Sequence, residues 1–372
     1  MNKNIISISL LFFCTASYGQ IIYADKVFEY NPAPGQFTNV LPEYEKGDNV
    51  ETMLRKCELV LKDFTVNSNG TFNPNNMICL GGYGGYIVAG FNGSIINTPD
   101  KYDFTIYGNA MDGSAGISSE PGIVMVAKDE NGNGIPDDKW YEIKGSEYNN
   151  PKTIKGYSII YKKPADDTSD IEWTDNKGNS GKINYMGQFH TQPHWPEWKN
   201  DATITFSGAR LPDNAIKITS DPEYWKFTYF KFGYADNRIN GTEGSMFKIE
   251  WAVDESGNSV NLDKIDFIKI YTGVNQQCGL LGESSTEICG IYGLADTGSG
   301  VITDYTTEPF ICYSYGRLTI HTEERTTVYI YNMQGNIVYT TTHNGGESIC
   351  SLNIDKGVYL VKAGKTTKKI IL

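Results

Sequence analysis

Between residues 77 and 274 the chain alternates short apolar runs with clusters of Gly, Asn and Asp. Runs of this kind, bounded by turn formers, predict strands over 86–91, 103–108, 122–127, 139–143, 157–161, 203–207, 227–233, 247–253 and 267–271. One segment carries the other period. Val50, Met53, Leu54, Cys57 and Leu61 share a helical face, which predicts a helix over 48–63, capped by Asp48, with Glu51 completing a capping box. Residues 21–47, with Pro32, Pro34, Gly35 and Pro42, read as an irregular leading segment, and 254–258 as a turn. The Gly81–Gly85 run lacks the Lys-Ser/Thr of a phosphate loop and reads as the approach to a strand. Residues 294–308, rich in Gly, Thr, Ser and Asp, predict a linker, after which short alternating strands begin again. The fold class is all-β, a sandwich with one N-terminal helix followed by a small C-terminal β-sandwich.

The densest chemistry lies between the strands 122–127 and 139–143, in Asp129-Glu130-Asn131-Gly132-Asn133-Gly134-Ile135-Pro136-Asp137-Asp138. Oxygen-bearing side chains alternate, and the sixth position is Gly134. This is the front half of an EF-hand-type loop, in which alternating oxygens converge on a hard cation and the glycine permits a sharp turn. The expected ligands are Asp129, Asn131, Asn133 and Asp137 through side chains and Ile135 through its carbonyl, with Asp138 or Glu142 closing the shell. Trp140 stands at position twelve, where the usual bidentate Glu would be. Calcium fits such an all-oxygen cage better than magnesium; the alternative is a solvated Asn-Gly turn. Without flanking helices, the loop reads as a structural clamp on a hairpin.

Composition narrows the class. The net charge is −12 and no basic run exists, so the electrostatic footprint of a nucleic-acid binder is missing. Lys3, the apolar stretch 5–13 and the small residues Ser17 and Gly19 form a secretory signal, with cleavage expected after Gly19; Cys14 opens a lipoprotein alternative. An exported chain with six further cysteines suggests disulfides, most locally Cys278–Cys289, with Cys312–Cys350 in the tail and Cys57–Cys79 as the remainder; buried free thiols are the alternative.

Tyr185, His190, His194, Trp195 and Trp198 crowd one long loop. His190 and His194 are four apart, but Pro193 and Pro196 oppose the helix that a zinc pair at this spacing needs, and no Glu follows His190. Two readings remain: rigid rings presented to a ligand, or rings that anchor the loop on the sandwich. No G-x-S-x-G elbow occurs. Glu120, Asp236 and Glu250 are carboxylates that a glycosidase could pair, although Glu120, standing before Pro121, also reads as a turn residue.

Two resemblances add to this. Val328-Tyr329-Ile330-Tyr331-Asn332-Met333-Gln334-Gly335-Asn336-Ile337-Val338-Tyr339, then Lys356-Gly357-Val358-Tyr359-Leu360-Val361 and the end Lys368-Lys369-Ile370-Ile371-Leu372, resemble the C-terminal sorting domain of Bacteroidetes type IX secretion cargo. That resemblance implies a small Ig-like β-sandwich, with a hairpin turn at 332–335 and a bend at Gly357, read by the type IX machinery at the outer membrane. Leu80 to Phe91, Tyr102 to Ala110, Ser119-Glu120-Pro121-Gly122, Trp140 to Tyr148, Gly233-Tyr234-Ala235-Asp236-Asn237, Phe247 to Asp254 and Leu262 to Tyr271 resemble bacterial cell-surface proteins with a discoidin- or galactose-binding-like jelly roll. It implies nutrient capture, of a carbohydrate or a corrinoid such as cobalamin, beside a TonB-dependent uptake system, and carries no catalytic motif.

The organisation expected is therefore a signal peptide at 1–19, a jelly-roll-like binding domain at 20–293, the linker at 294–308 and a sorting domain at 309–372. The chain reads as a secreted or outer-membrane-surface binding protein stabilised by calcium. A glycan-active hydrolase and a structural adhesion module are the alternatives.

Overall fold

The computed structural model describes residues 22–66, 76–113, 116–220, 223–294 and most of 310–371. The expected signal segment with Cys14, and all of the expected linker but Leu294, lie outside the described residues. Among the described residues the fold is all-β with one α-helix near the N-terminus. A six-stranded antiparallel sheet runs in the order Ala24–Asn31, Tyr86–Ile96, Lys264–Thr272, Gly122–Ala127, Trp140–Ile143, Ala252–Val253. Strand alternation divides its side chains between two cores. Ile87, Ala89, Val124, Val126, Ile268 and Ile270 face the helix Val50–Val66 and the strands Phe104–Tyr107 and Gly290–Gly293. On the opposite face, Ile123 and Tyr271 meet Ala209, Leu211, Phe230 and Tyr234. Beyond them lies a second sheet, in the order Ser180–Ile183, Ile171–Asp175, Ile154–Lys162, Thr203–Arg210, with its own core around Tyr157, Ile159, Tyr161 and Phe206.

Most predicted strands form, and their departures have local causes. Ala24–Asn31 is a strand inside the segment expected to be irregular. Register shifts between Ala24 and Lys26 and between Val27 and Glu29 bury Ala24, Val27 and Tyr30, so the apolar period is three rather than two. At 227–233 the strand is instead Glu223–Phe227, because the Asn237 side chain satisfies both the N–H and the carbonyl of Phe230 in place of a neighbouring strand. The run 247–253 is broken by a 3-10 turn at Ile249–Trp251, where the Asp103 carboxylate accepts the Ile249 N–H. The helix is capped one residue later than expected. Asn49, not Asp48, accepts the Thr52 N–H; Asp48 accepts from Glu45 N and Lys56, and Glu51 pairs with Arg55 rather than closing a capping box. Val50, expected on the apolar face, is exposed, while Met53, Cys57 and Leu61 are buried.

The expected pairings Cys278–Cys289 and Cys57–Cys79 do not form: all four are free, buried thiols. Each partner belongs to a different apolar cluster. Cys278 lies with Ala215 and Phe227, Cys289 and Cys79 lie with Leu41 and Met77, and Cys57 lies in the main core. Cys312 and Cys350 lie on Phe310–Ser314 and Gly346–Ser351, strands that flank Arg317–Thr322; their side chains are outside the described set. In the tail a four-stranded sheet orders Ile337–His343, Thr326–Asn332, Val358–Ala363, Thr366–Ile371 around Leu318, Val328, Ile330 and Val361. Asn332 turns the hairpin there by accepting the Gln334 and Asn336 N–H groups, with Gly335 at φ +82°.

The Gly81–Gly85 run makes a backbone crossing. Ala33 N donates to Leu80 O, and Gly84 N to Thr272 O. Gly81 sits at φ +70°, and a Cβ there would overlap the Ala33 carbonyl. Gly81→Ala is therefore expected to cost about 2–4 kcal/mol, combining left-handed strain with the overlap. Urea denaturation checks it; a loss below about 0.5 kcal/mol, the range of neutral surface changes, would show that the crossing relaxes freely.

Candidate functional site

The loop 129–138 joins the paired strands Gly122–Ala127 and Trp140–Ile143, as a hairpin. The Asp129 carboxylate accepts three backbone N–H groups, from Gly132, Asn133 and Gly134. Asn131 and Asn133 direct their side chains at Asp137, while Asp138 turns back to accept Glu130 N. Gly132 and Gly134 hold positive φ, which the tight winding requires. Ile135 is exposed. Glu142 points elsewhere, into a groove described below.

The loop 185–198 is held inward. Asn39 donates to the carbonyls of Pro193 and Trp195 and accepts Glu197 N, pinning it to the leading segment. Trp195 is buried in the core of the second sheet, and Trp198 stacks on Tyr30 and Tyr44 at centroid distances of 5.7 and 6.1 Å. His194 is buried, donates through Nδ1 to Gln192 O and accepts Met186 N–H at Nε2, so neither ring nitrogen is free for a ligand. Tyr185 and His190 stay part-exposed; Tyr185 donates to Thr191 O and His190 meets the Phe37 ring edge-on. The open ring surface expected here is thus not formed by Trp195, Trp198 or His194. Burial against tyrosine rings removes their faces from solvent, and they anchor the loop.

A different surface gathers rings and charges. A groove of about 640 Å³ opens between the outer face of the central sheet and Thr203–Arg210. Tyr86, Trp140, Tyr148 and Phe206 line it with Glu142, Lys155 and Lys269. The register explains the convergence: Met125 stands opposite both Glu142 and Lys269, so the outward row of adjacent strands carries both charges into one groove. Lys269 Nζ lies 4.0 Å from the Tyr86 ring centroid, and Tyr86 donates to Glu29. Burial pushes the Glu142 carboxyl up to about 7, with Lys155 opposing the shift, and holds the Lys269 ammonium below its ordinary value. Lys269 carried a sequence signal, a lone lysine between Ile268 and Ile270 in an apolar strand.

A second opening, of about 600 Å³, is lined by Met111, Tyr224, Trp225, Leu280, Glu120 and Glu283. Under it, oxygens of Glu120, Asp236 and Glu287 lie within 4.8 Å of one another. Glu120 and Asp236 were legible as candidate carboxylates; Glu283 and Glu287, in the polar stretch between Cys278 and Cys289, were not. Glu250 is far from forming a pair with them in role: it is exposed, and it binds Lys248 and Asp100 N. Burial raises all four interior carboxyls: Glu120 to about 7, against hydrogen bonds from Ser285 N and the Glu287 side chain, and Glu283 to about 8. Repulsion from Glu120 adds to burial at Glu283, Asp236 and Glu287, and the last two lie well above the usual range.

Glu142 gives a pH prediction. An unfolded glutamate ionises near pH ~4.5, so between there and about pH 7 the folded chain holds a proton that the unfolded chain has lost. Its contribution to stability is full below the unfolded value and is lost as pH rises through the folded one. Glu142→Gln is expected to remove up to about 1.4 kcal/mol per pH unit of that decline and to be more stable than wild type at pH 8. Denaturant titrations between pH 5 and 8 measure this, and parallel slopes in the two proteins would contradict it.

Residues 314–372 match the Secretion system C-terminal sorting domain. No curated protein matches the chain. The match covers the tail; the discoidin-like resemblance over 77–290 has no family match behind it, and the sandwich there stands on its strand pairing. The tail marks a chain that engages the type IX machinery and is exported by it to the cell surface or the extracellular space.

Proposed function

We propose that this exported chain is a surface ligand-binding protein, with the groove between Trp140 and Lys269 as its binding site. One observation carries the reading: aromatic rings and half-buried ionisable groups converge on one opening of about 640 Å³, a size and lining typical of small-ligand sites. Rings offer flat faces to a sugar or to the edge of a corrinoid, and Glu142, Lys155 and Asn31 supply hydrogen bonds. The volume suits a sugar unit better than a whole corrinoid macrocycle. A TonB-dependent transporter would take the ligand onward.

Calcium enters through Trp140. It stands one residue, Lys139, beyond the loop 129–138 and lines the groove. An ion held by Asp129, Asn131, Asn133, Asp137, the Ile135 carbonyl and Asp138 would fix the loop and with it the ring. The Asp129 carboxylate, already oriented by backbone N–H groups, supports this.

The hydrolase reading has weaker support. The oxygens of Glu120, Asp236 and Glu287 lie within 4.8 Å, tighter than the roughly 5–5.5 Å of a retaining pair or the about 6.5–9.5 Å of an inverting one. The adhesion reading predicts no small ligand at all.

Calorimetric screening of the full mature chain against a panel of mono- and oligosaccharides and against cyanocobalamin, with calcium and with EDTA, tests the proposal. Binding is expected in one class, weakened about tenfold by Trp140→Ala through loss of ring stacking and weakened likewise by Asp129→Asn. Absence of binding in both classes would put adhesion in front.

A further inference from the structure

Three chain segments remote in sequence bring Glu120, Asp236 and Glu287 together, and each carboxylate is held in place by donors. Ser285 N donates to Glu120 Oε1 at 2.9 Å. Asp236 accepts Asn109 N and Glu287 N, and Ser285 Oγ donates to Glu287 Oε1. Asp236 itself sits at φ +49°, a left-handed conformation uncommon for a non-glycine residue. Donors of this kind favour the ionised form, whereas burial and repulsion oppose it. Among the described residues no lysine or arginine forms an ion pair with these groups. The arrangement therefore lacks a positive charge at its centre.

A neighbouring side chain points the same way. Glu283 is 3 % exposed, accepts Gln36 N at Oε1, and leaves Oε2 buried with no hydrogen-bond partner. It lines the same opening as Glu120, whose charge raises its carboxyl, and its own charge raises that of Glu287. An orphaned buried carboxylate oxygen is costly unless something binds it.

We propose that Glu120, Asp236 and Glu287 form a calcium site beneath the opening, with Glu283 as a further oxygen donor at its edge. Oxygens within 4.8 Å of one another can all reach one ion at the roughly 2.3–2.6 Å of calcium–oxygen bonds after small side-chain shifts. The donor set is oxygen only, because no His or Cys among the described residues joins the group. The thiols around it, Cys79, Cys278 and Cys289, are all held protonated by burial. Oxygen-only donors exclude the usual zinc chemistry, and a buried, irregular cage suits calcium better than the hydrated octahedron of magnesium. Part-exposed Glu120 gives the ion its way in from the opening. The site is separate from the loop 129–138 and independent of the groove.

The test uses the full chain stripped with EDTA at pH 8. In an Asp129→Asn/Asp137→Asn variant, which disables the loop, titration with CaCl2 is expected to show one calcium bound per chain and a raised melting temperature. Adding Glu120→Gln/Glu287→Gln, which keeps shape and removes charge, is expected to weaken calcium at least 100-fold. Asp236→Asn in the same background should do likewise, and circular dichroism confirms that each variant is folded. No calcium binding by the loop-disabled chain would overturn the proposal, showing that the cluster keeps its protons instead. Calcium binding undiminished by the interior substitutions would overturn it as well.

Discussion

The molecule is organised around the place where Thr272 ends the central strand. Its N–H donates to Gly85 O and its carbonyl accepts Gly84 N, while its hydroxyl donates to Gly81 O and accepts Thr286 N. One buried threonine thus joins the glycine crossing, the central sheet and the segment that carries Glu283 and Glu287. Only glycine lets the backbones approach this closely: a Cβ at Gly85 would overlap the Leu80 carbonyl and the Ala33 nitrogen. Gly81 N donates to Ser285 Oγ, which in turn donates to Glu287, and Thr286 Oγ donates to the Glu120 carbonyl. The buried carboxylates are therefore positioned by contacts of the crossing.

Sequence periodicity exposed the fold where strands are regular and hid it where they are not. Gly122–Ala127 and Lys264–Thr272 are visible because apolar residues fill both faces of a doubly covered strand. Ala24–Asn31 was hidden because two register shifts turn its alternation into a period of three. The site was less legible than the fold. Trp195 and Trp198 stood out by residue type, yet type does not say which side of a loop a ring takes. That is decided by Asn39, far away in sequence, whose amide fixes the loop from below. Conversely, Lys269 interrupts an apolar run and Glu142 follows the acidic loop, yet they become a site only through register, which sets them on either side of Met125. Glu283 and Glu287 were disguised by serine and threonine neighbours that resemble a surface turn but are buried.

The cysteines follow the same logic. An even count in an exported chain favours bridges as a prior, but a bridge needs its two side chains in one place. Here Cys57 and Cys278 fill separate apolar clusters as small hydrophobes. Cys79 and Cys289 share a cluster, and Cys79 lies against Ser285 rather than a second sulfur. The interior is thus held by packing and by the hydrogen-bonded crossing, without a covalent clamp among these four.

The two calcium sites proposed above would add to that packing in opposite ways. The loop 129–138 is exposed, its carboxylates are solvated, and an ion there would confine one hairpin and the ring of Trp140. The interior set is buried and its carboxylates repel one another, so an ion there would relieve an electrostatic cost rather than order a flexible segment. The first kind of site is forgiving of an empty state, because water can take the place of the ion. The second is not: without a cation, some of its carboxylates must take up protons, and the donors aimed at Asp236 and Glu120 then face neutral acceptors. An exported protein meets its cations outside the cell. An arrangement that is strained when empty and relaxed when filled would let the fold tighten after export.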